Sequence, residues 1–121
     1  SENISNYDVQ TKELNFGTQA KKKVTKIEIT YKGGTSGNTN ILPKYSVDGG
    51  DYNSNFVDEN GSTITNLPAS NYWTVIELYT QSNANNIKTF SIQLVNVESQ
   101  SVVSDFQVND ISIVFRQKSV K

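Results

Sequence analysis

The chain contains no cysteine, no histidine and no methionine among its 121 residues. Without cysteine it can form neither a disulfide framework nor a thiolate zinc site. Without histidine it lacks the commonest general base and the commonest transition-metal ligand. The missing initiator methionine indicates either a trimmed chain or a piece of a larger protein, and we favour the second interpretation.

A strong charge of one sign and long apolar runs are also missing. The formal net charge is -1, which argues against a general nucleic-acid binder or a membrane-surface binder. No stretch approaches the roughly 20 apolar residues that a membrane helix needs, and the residues show no signal-peptide pattern. The length is typical of one domain, so we treat residues 1–121 as a single unit.

The C-terminal segment 106–121 carries the most informative pattern. Two sets of apolar residues alternate with polar neighbours in different phases, first Phe106 and Val108, then Ile111, Ile113 and Phe115. A strand keeps one face buried across such a switch only if an extra residue bends it. We therefore predict a closing strand with a β-bulge near Asn109-Asp110.

Alternating apolar and polar residues predict strands elsewhere as well. The clearest is 22–32, in which Ile27, Ile29 and Tyr31 share one face. Further strands are predicted at 7–16, 41–47, 51–56, 72–80 and 88–97. Tight turns are predicted at Asp48-Gly49-Gly50 and Asn60-Gly61, with loops at 33–40, 57–71 and 98–105.

These elements predict an all-β fold, because no stretch of ten or more residues has a helical period. Seven to eight short strands with turns between them indicate an antiparallel β-sandwich, jelly-roll-like in architecture. The strand at 72–80 is apolar on both faces, which is typical of a central strand or an interface. The predicted core consists of Ile27, Ile29, Tyr31, Tyr45, Val47, Phe90, Ile92, Leu94, Ile111, Ile113 and Phe115.

Catalytic and metal-binding constellations are weak in this sequence. A serine nucleophile would lack a histidine base, and Glu77 is expected to be a sheet-face charge paired with a lysine across the strand rather than half of a glycosidase pair. A structural calcium ion at Asp58–Ser62, or among Asp105, Asn109 and Asp110, is an alternative to turn capping by the same side chains, which we favour. No catalytic residue, cofactor or metal ligand is assigned.

Two groups of side chains are candidates for binding. Trp73, Tyr72, Tyr52 and Tyr79 form a potential platform for stacking on a sugar ring, although we favour core packing for a tryptophan beside a tyrosine at a strand start. Lys21, Lys22, Lys23, Arg116 and Lys118, with Lys26 and Lys121 nearby, form a potential docking patch for an acidic surface. Solvated strand ends and turns are the favoured alternative for these cations.

Six segments occur in a characteristic order: FG from Phe16, KKKVTKIEITYKG from Lys21, KYSVDGG from Lys44, WTVIEL from Trp73, NNIKTFSIQL from Asn85, and NDISIVFRQKSVK from Asn109. Together they resemble a domain of marine tailed-bacteriophage structural proteins. The resemblance implies a C-terminal β-sandwich of a larger virion protein, often in the tail or its adaptor, and brings no catalytic residue. The apolar loop at Ser99–Val103 departs from that pattern.

The main hypothesis is therefore a non-enzymatic virion domain in a tail, adaptor or decoration position. It would bind other virion proteins or copies of itself, would bind neither nucleic acid nor a membrane, and would be located in the extracellular particle. The alternative is a carbohydrate-binding module that recognises a host or environmental glycan. A cell-surface adhesin module is a third and weaker hypothesis.

Overall fold

A computed structural model describes residues 7–15 and 21–117 of the chain. It contains seven strands, β1 Asp8–Gln10, β2 Lys22–Asn38, β3 Ile41–Val47, β4 Ser54–Asn55, β5 Pro68–Tyr79, β6 Phe90–Asn96 and β7 Gln107–Gln117. The helical content of the described residues is one short 3₁₀ turn, Ser82–Ala84. No helix in these ranges is long and apolar enough to cross a membrane.

The strands form two antiparallel sheets, which confirms the predicted β-sandwich. One sheet has four strands in the order β1-β6-β3-β4, and the other has three in the order β5-β2-β7. Alternation along each strand sends apolar side chains into the space between the sheets. On β6 the inward residues Phe90, Ile92 and Leu94 are buried as predicted.

An aromatic cluster is part of this core. The Tyr45 ring is tilted against Phe56 and Phe90, with centroid distances of 4.7 and 5.5 Å. The Tyr45 hydroxyl donates a hydrogen bond to Asn83 Oδ1 at 2.6 Å and accepts one from the Gln81 N–H at 2.9 Å. These bonds satisfy a buried polar group and tie the 3₁₀ turn to the four-stranded sheet.

The predicted core needs correction at its edge. Val47, Ile111 and Ile113 are only partly buried, and Phe115 is 45% exposed, so its assignment to the core was wrong. Phe115 lies near the end of an edge strand, where the opposite sheet covers it less. Buried residues that the prediction omitted are Val24, Ile41, Phe56, Leu67, Leu78, Ala84, Ile87, Val102 and Phe106.

The predicted bulge in the last strand is confirmed. Thr30 of β2 pairs with Asp110 and the next residue, Tyr31, pairs with Val108, so Asn109 is the extra residue. This single insertion lets Phe106 and Ile111 face the same side of the sheet despite their opposite phases. A second irregularity occurs in β2, where Thr25 is inserted between two paired residues.

Several predicted boundaries differ from the structure. β2 continues to Asn38, so the predicted loop at 33–40 was wrong. Its backbone pairs with β5 through irregular register. β5 begins at Pro68 and is an edge strand of its sheet, not a central one. The first predicted strand is reduced to β1 and an isolated bridge from Leu14 to Phe90, and its predicted end at Phe16 lies outside the described residues.

Both tight turns are present where the glycines predicted them. In the β3–β4 connection, Asp48 and Gly49 have φ of 52° and 76°, and the Gly50 N–H donates to the Val47 carbonyl at 3.0 Å. Gly61 has φ of 86° and its N–H donates to the Asp58 carbonyl at 3.0 Å. The left-handed backbone at Gly49 and Gly61 suits glycine, which has no Cβ to clash.

Burial of Tyr31 makes the stability of the fold sensitive to alkaline pH. The Tyr31 hydroxyl donates to the Pro68 carbonyl at 2.7 Å, and burial raises its pKa to about 12. The folded state therefore retains a proton that the unfolded chain loses at its ordinary pKa near 10. Because the folded state keeps this proton, the buried Tyr31 phenol contributes to the free energy of unfolding. This contribution is fully present below about pH 10 and is lost as the pH rises toward about 12.

We expect Tyr31→Phe to be about 1 kcal/mol less stable than wild type at pH 8, because it loses one hydrogen bond. The difference should shrink above pH 10, because phenylalanine has no proton to release. Urea unfolding at several pH values would measure both curves. Parallel loss of stability in the two proteins up to pH 11.5 would contradict the role of this phenol. Burial also raises the pKa of Tyr7 and Tyr45, so some alkaline loss remains in the variant.

Candidate functional site

The outer face of the three-stranded sheet carries most of the candidate binding residues. The sequence at 72–80 is apolar on both faces, and in the structure alternation along β5 sends Ile76 and Leu78 toward the core. The opposite phase projects outward and comprises Trp73, Val75, Glu77 and Tyr79. Beside it, β2 presents Lys26, Glu28, Thr30 and Lys32.

An aromatic patch, defined as Tyr72, Trp73 and Val75, lies along β5 toward one end of the sheet. These side chains are 71%, 44% and 59% exposed. The register between β5 and β2 is irregular here, since Tyr31 pairs with Thr74 but Gly33 pairs with Ser70. The irregularity lets two consecutive aromatic residues both reach solvent, where a regular strand would send one of them inward.

Local contacts hold the patch in position. The Ser70 hydroxyl donates to the Tyr72 carbonyl at 2.7 Å and accepts a bond from the Tyr72 N–H at 3.4 Å. The Lys32 ammonium lies 4.8 Å from the centroid of the Trp73 ring, within the range of a cation–π contact. Core packing, the role favoured for Trp73 from the sequence, was therefore wrong, because the side chain lies on the sheet surface.

The four aromatic residues of the predicted glycan platform do not lie together. Tyr79 shares the outer face with Trp73 but is half-buried, and the Lys26 ammonium lies 5.6 Å from its ring centroid. Tyr52 lies in the connection between β3 and β4, where its hydroxyl accepts a hydrogen bond from Ser91 Oγ of β6 at 2.9 Å. Val75 and Lys32 lie next to Trp73 instead, and the sequence analysis did not identify either of them as a binding residue. The alternation of side chains along β5 could have indicated Val75, whereas Lys32 is brought close to Trp73 only by the register of β2 against β5.

An ion-paired group separates the aromatic patch from Tyr79. Lys26 forms a hydrogen-bonded ion pair with Glu77 and lies 3.8 Å from a Glu28 carboxylate oxygen. The bond to Lys26 lowers the pKa of Glu77, and the bond to Glu77 raises the pKa of Lys26. The predicted pairing of Glu77 with a lysine across the strand is confirmed. The Lys26 ammonium relieves the repulsion between the carboxylates of Glu28 and Glu77, which are direct cross-strand neighbours.

An open depression of about 260 Å³ lies beside β5. It is lined by Asp58, Glu59, Val75, Ile76, Glu77 and Tyr79. The Asp58 carboxylate accepts bonds from the Asn60 and Ser62 N–H groups, each at 2.9 Å, so it caps the turn as favoured from the sequence. Asp105 similarly accepts a bond from the Gly34 N–H at 2.9 Å. Among the described residues no group of three or more potential metal-binding side chains converges.

The predicted docking cations meet at the far end of the sheet. Lys23 of β2 pairs directly with Arg116 of β7, and Lys21 is exposed beside them. We refer to Lys21, Lys23 and Arg116 as the basic end. Lys22 is only 2% exposed, so little of its side chain could contact a partner, and Lys118 and Lys121 lie outside the described residues. The strand register, which no local pattern encodes, creates this grouping.

Comparison of the chain with protein-family models, with curated protein sequences and with solved structures gives no match.

Proposed function

We propose that this chain is a non-enzymatic structural domain of a bacteriophage virion that acts through protein–protein interfaces in the tail, in an adaptor or in a decoration position. Its partners are other virion proteins or further copies of itself. The six ordered segments that resemble marine tailed-phage structural proteins support this proposal, and a β-sandwich is the fold that the resemblance implies.

The charges at the basic end favour an acidic partner. Lys23 and Arg116 are direct neighbours on adjacent strands, and like charges in this position repel each other. Lys26, by contrast, has Glu28 and Glu77 beside it. Neither Lys23 nor Arg116 forms an ion pair with another described residue. An acidic surface docked against the basic end would remove this repulsion, so the isolated domain favours such a partner.

Electron microscopy of purified particles tests the proposal directly. We expect density for a seven-stranded sandwich in the particle, with the basic end within ion-pair distance of acidic side chains of a neighbouring subunit. Mass spectrometry of the same particles should detect tryptic peptides of this chain. Absence of the chain from purified particles, or a basic end that faces only solvent, would overturn the proposal.

A second candidate function is carbohydrate binding, which the aromatic patch favours. Exposed aromatic rings offer the flat apolar faces of a stacking surface, and the neighbouring depression holds carboxylates that accept hydrogen bonds from hydroxyl groups. The ligand class would be a host-surface or environmental glycan. Exposed apolar groups of this kind also serve protein contacts, so a glycan array is needed to separate the two functions.

We expect Trp73→Ala to weaken glycan binding by about tenfold or more if the patch is a sugar platform, because a stacking contact of about 1.4 kcal/mol is lost. Tyr52→Ala is the matched control, since Tyr52 lies in the β3–β4 connection and contacts β6 of the four-stranded sheet, and it should bind as wild type. If wild type binds no glycan on the array, or if both variants bind equally well, this second function is excluded.

A further inference from the structure

The edge of β7 that faces away from β2 is the longest regular strand edge in the described part of the chain. β7 spans Gln107–Gln117, and within the ranges 7–15 and 21–117 its backbone pairs only with β2. The other edge strands differ, because β1 has three residues and β4 has two. β5 begins with a proline, has irregular register and is joined at Tyr79 by a bridge to Val57.

Natural proteins usually protect such an edge from pairing with another chain by bulges, prolines or inward-pointing charges. In β7 the bulge at Asn109 precedes the segment Asp110–Arg116. This segment (DISIVFR) contains no glycine or proline, and its only charges are the outward Asp110 and Arg116 at its two ends. Their charges cancel, so the segment has the features of a strand that accepts a partner.

The segment is complementary to itself in one antiparallel register. With a two-fold axis at Ile113, the cross-strand pairs are Asp110 with Arg116, Ile111 with Phe115, Ser112 with Val114, and Ile113 with its own copy. We propose that β7 is the docking site for β7 of a second copy of this chain, which joins two three-stranded sheets into one continuous six-stranded sheet. Such a contact is isologous and closes after two copies.

Charge supports this register on the outer face. Arg116 lies opposite Lys23 within its own sheet, and Asp110 lies opposite the uncharged Thr30. Asp110 accepts a hydrogen bond from Ser112 at 3.3 Å but forms no ion pair with another described residue. In the dimer each Arg116 gains an aspartate as its direct cross-strand neighbour, and this occurs twice because of the symmetry.

Apolar burial supports the same register on the inner face. Ile111 and Ile113 are partly buried against the core, and Phe115 is 45% exposed. The proposed pairing places Ile111 beside Phe115 of the second copy and the two Ile113 side chains beside each other. Each contact removes apolar surface from water without a change in the fold.

This inference goes beyond the proposed function, because it concerns the purified domain and holds whether or not the chain belongs to a virion. A contact through one strand pair is small, so we expect a weak dimer with a dissociation constant of about 10–100 µM. Sedimentation velocity over about 5–500 µM would detect the exchange between monomer and dimer.

Charge reversal provides the decisive experiment. Asp110→Arg places arginine opposite arginine in the dimer, and Arg116→Asp places aspartate opposite aspartate. We expect either variant alone to dissociate about tenfold more readily than wild type. An equimolar mixture of the two should dimerise as well as wild type, because each pair across the heterodimer is then arginine with aspartate.

Asp51→Arg and Lys88→Asp are the matched controls, since they make the same changes in charge at exposed positions away from β7. They should dimerise as wild type does. Recovery in the mixture also shows that both β7 variants are folded. A wild type that stays monomeric throughout, single variants that dimerise normally, or a mixture that does not recover would each overturn the proposal. A negative result in this dimerisation test would not affect the proposed role in a virion, which the electron microscopy of purified particles tests separately.

Discussion

Replacing Phe90 with alanine is expected to lower the free energy of unfolding by about 3–5 kcal/mol. Phe90 is fully buried on β6, packs against the Tyr45 ring with centroids 5.5 Å apart and pairs with Val47 of β3. Its backbone also exchanges hydrogen bonds with Leu14 at 2.8 and 3.0 Å. Truncation leaves a cavity in the core that the surrounding β-sheet cannot collapse to fill.

A loss of this size is a large fraction of the total stability of a domain, which is about 5–15 kcal/mol. Urea unfolding followed by circular dichroism should show a much lower midpoint with a similar slope. Phe115→Ala is the matched control, because it removes the same atoms from a side chain that is 45% exposed, and it should cost about 1 kcal/mol. Equal losses in the two variants would contradict the assignment of Phe90 to the core and Phe115 to its edge.

The second large effect is expected from Gly33→Ala, at about 1–3 kcal/mol. Gly33 is buried in β2, and an added Cβ would lie 2.8 Å from the Phe106 Cα and 3.2 Å from a Val103 methyl group. The nearest obstacle is a backbone atom, which cannot move aside as a flexible side chain can. The substitution therefore forces β2 away from the segment that enters β7.

Two further variants separate the causes of this loss. Gly37→Ala meets no atom within 4 Å but requires φ near 72°, so it should cost only the backbone strain of about 1 kcal/mol. Val103→Ala, combined with Gly33→Ala, should not restore stability, because the contact with Phe106 remains. Full recovery in the double variant would show that the valine methyl group, and not the backbone, excludes a side chain at position 33.

Features that depend on neighbouring residues were predicted correctly from the sequence, whereas features that depend on pairing between distant segments were not. The inward faces of β2 and β6 were predicted because Ile27, Ile29 and Phe90 lie in strict alternation with polar residues. The bulge at Asn109 was predicted because a strand whose apolar residues change phase needs one extra residue to keep the same face buried. The loop at 33–40 was wrong because its glycines suggested a turn, whereas pairing with β5 extends the strand to Asn38.

The candidate site was predicted only in part, for a related reason. Trp73 and Tyr72 were candidates by residue type, but Tyr52 was grouped with them although its hydroxyl is bonded to Ser91 of the four-stranded sheet. Lys22 was grouped with Lys21 although it is buried. Residue type indicates what a side chain can bind, whereas its position relative to distant strands decides whether a partner can reach it.

The sequence by itself determined which residues face inward along the regular strands, where the glycine turns lie, and where β7 must bend, because side-chain alternation and backbone φ preferences are properties of neighbouring residues. Only the tertiary structure decided that β5 and β7 are edge strands, that Trp73 is exposed, and that Arg116 lies opposite Lys23. Strand order and register depend on pairing between segments far apart in the chain, and no local pattern encodes them.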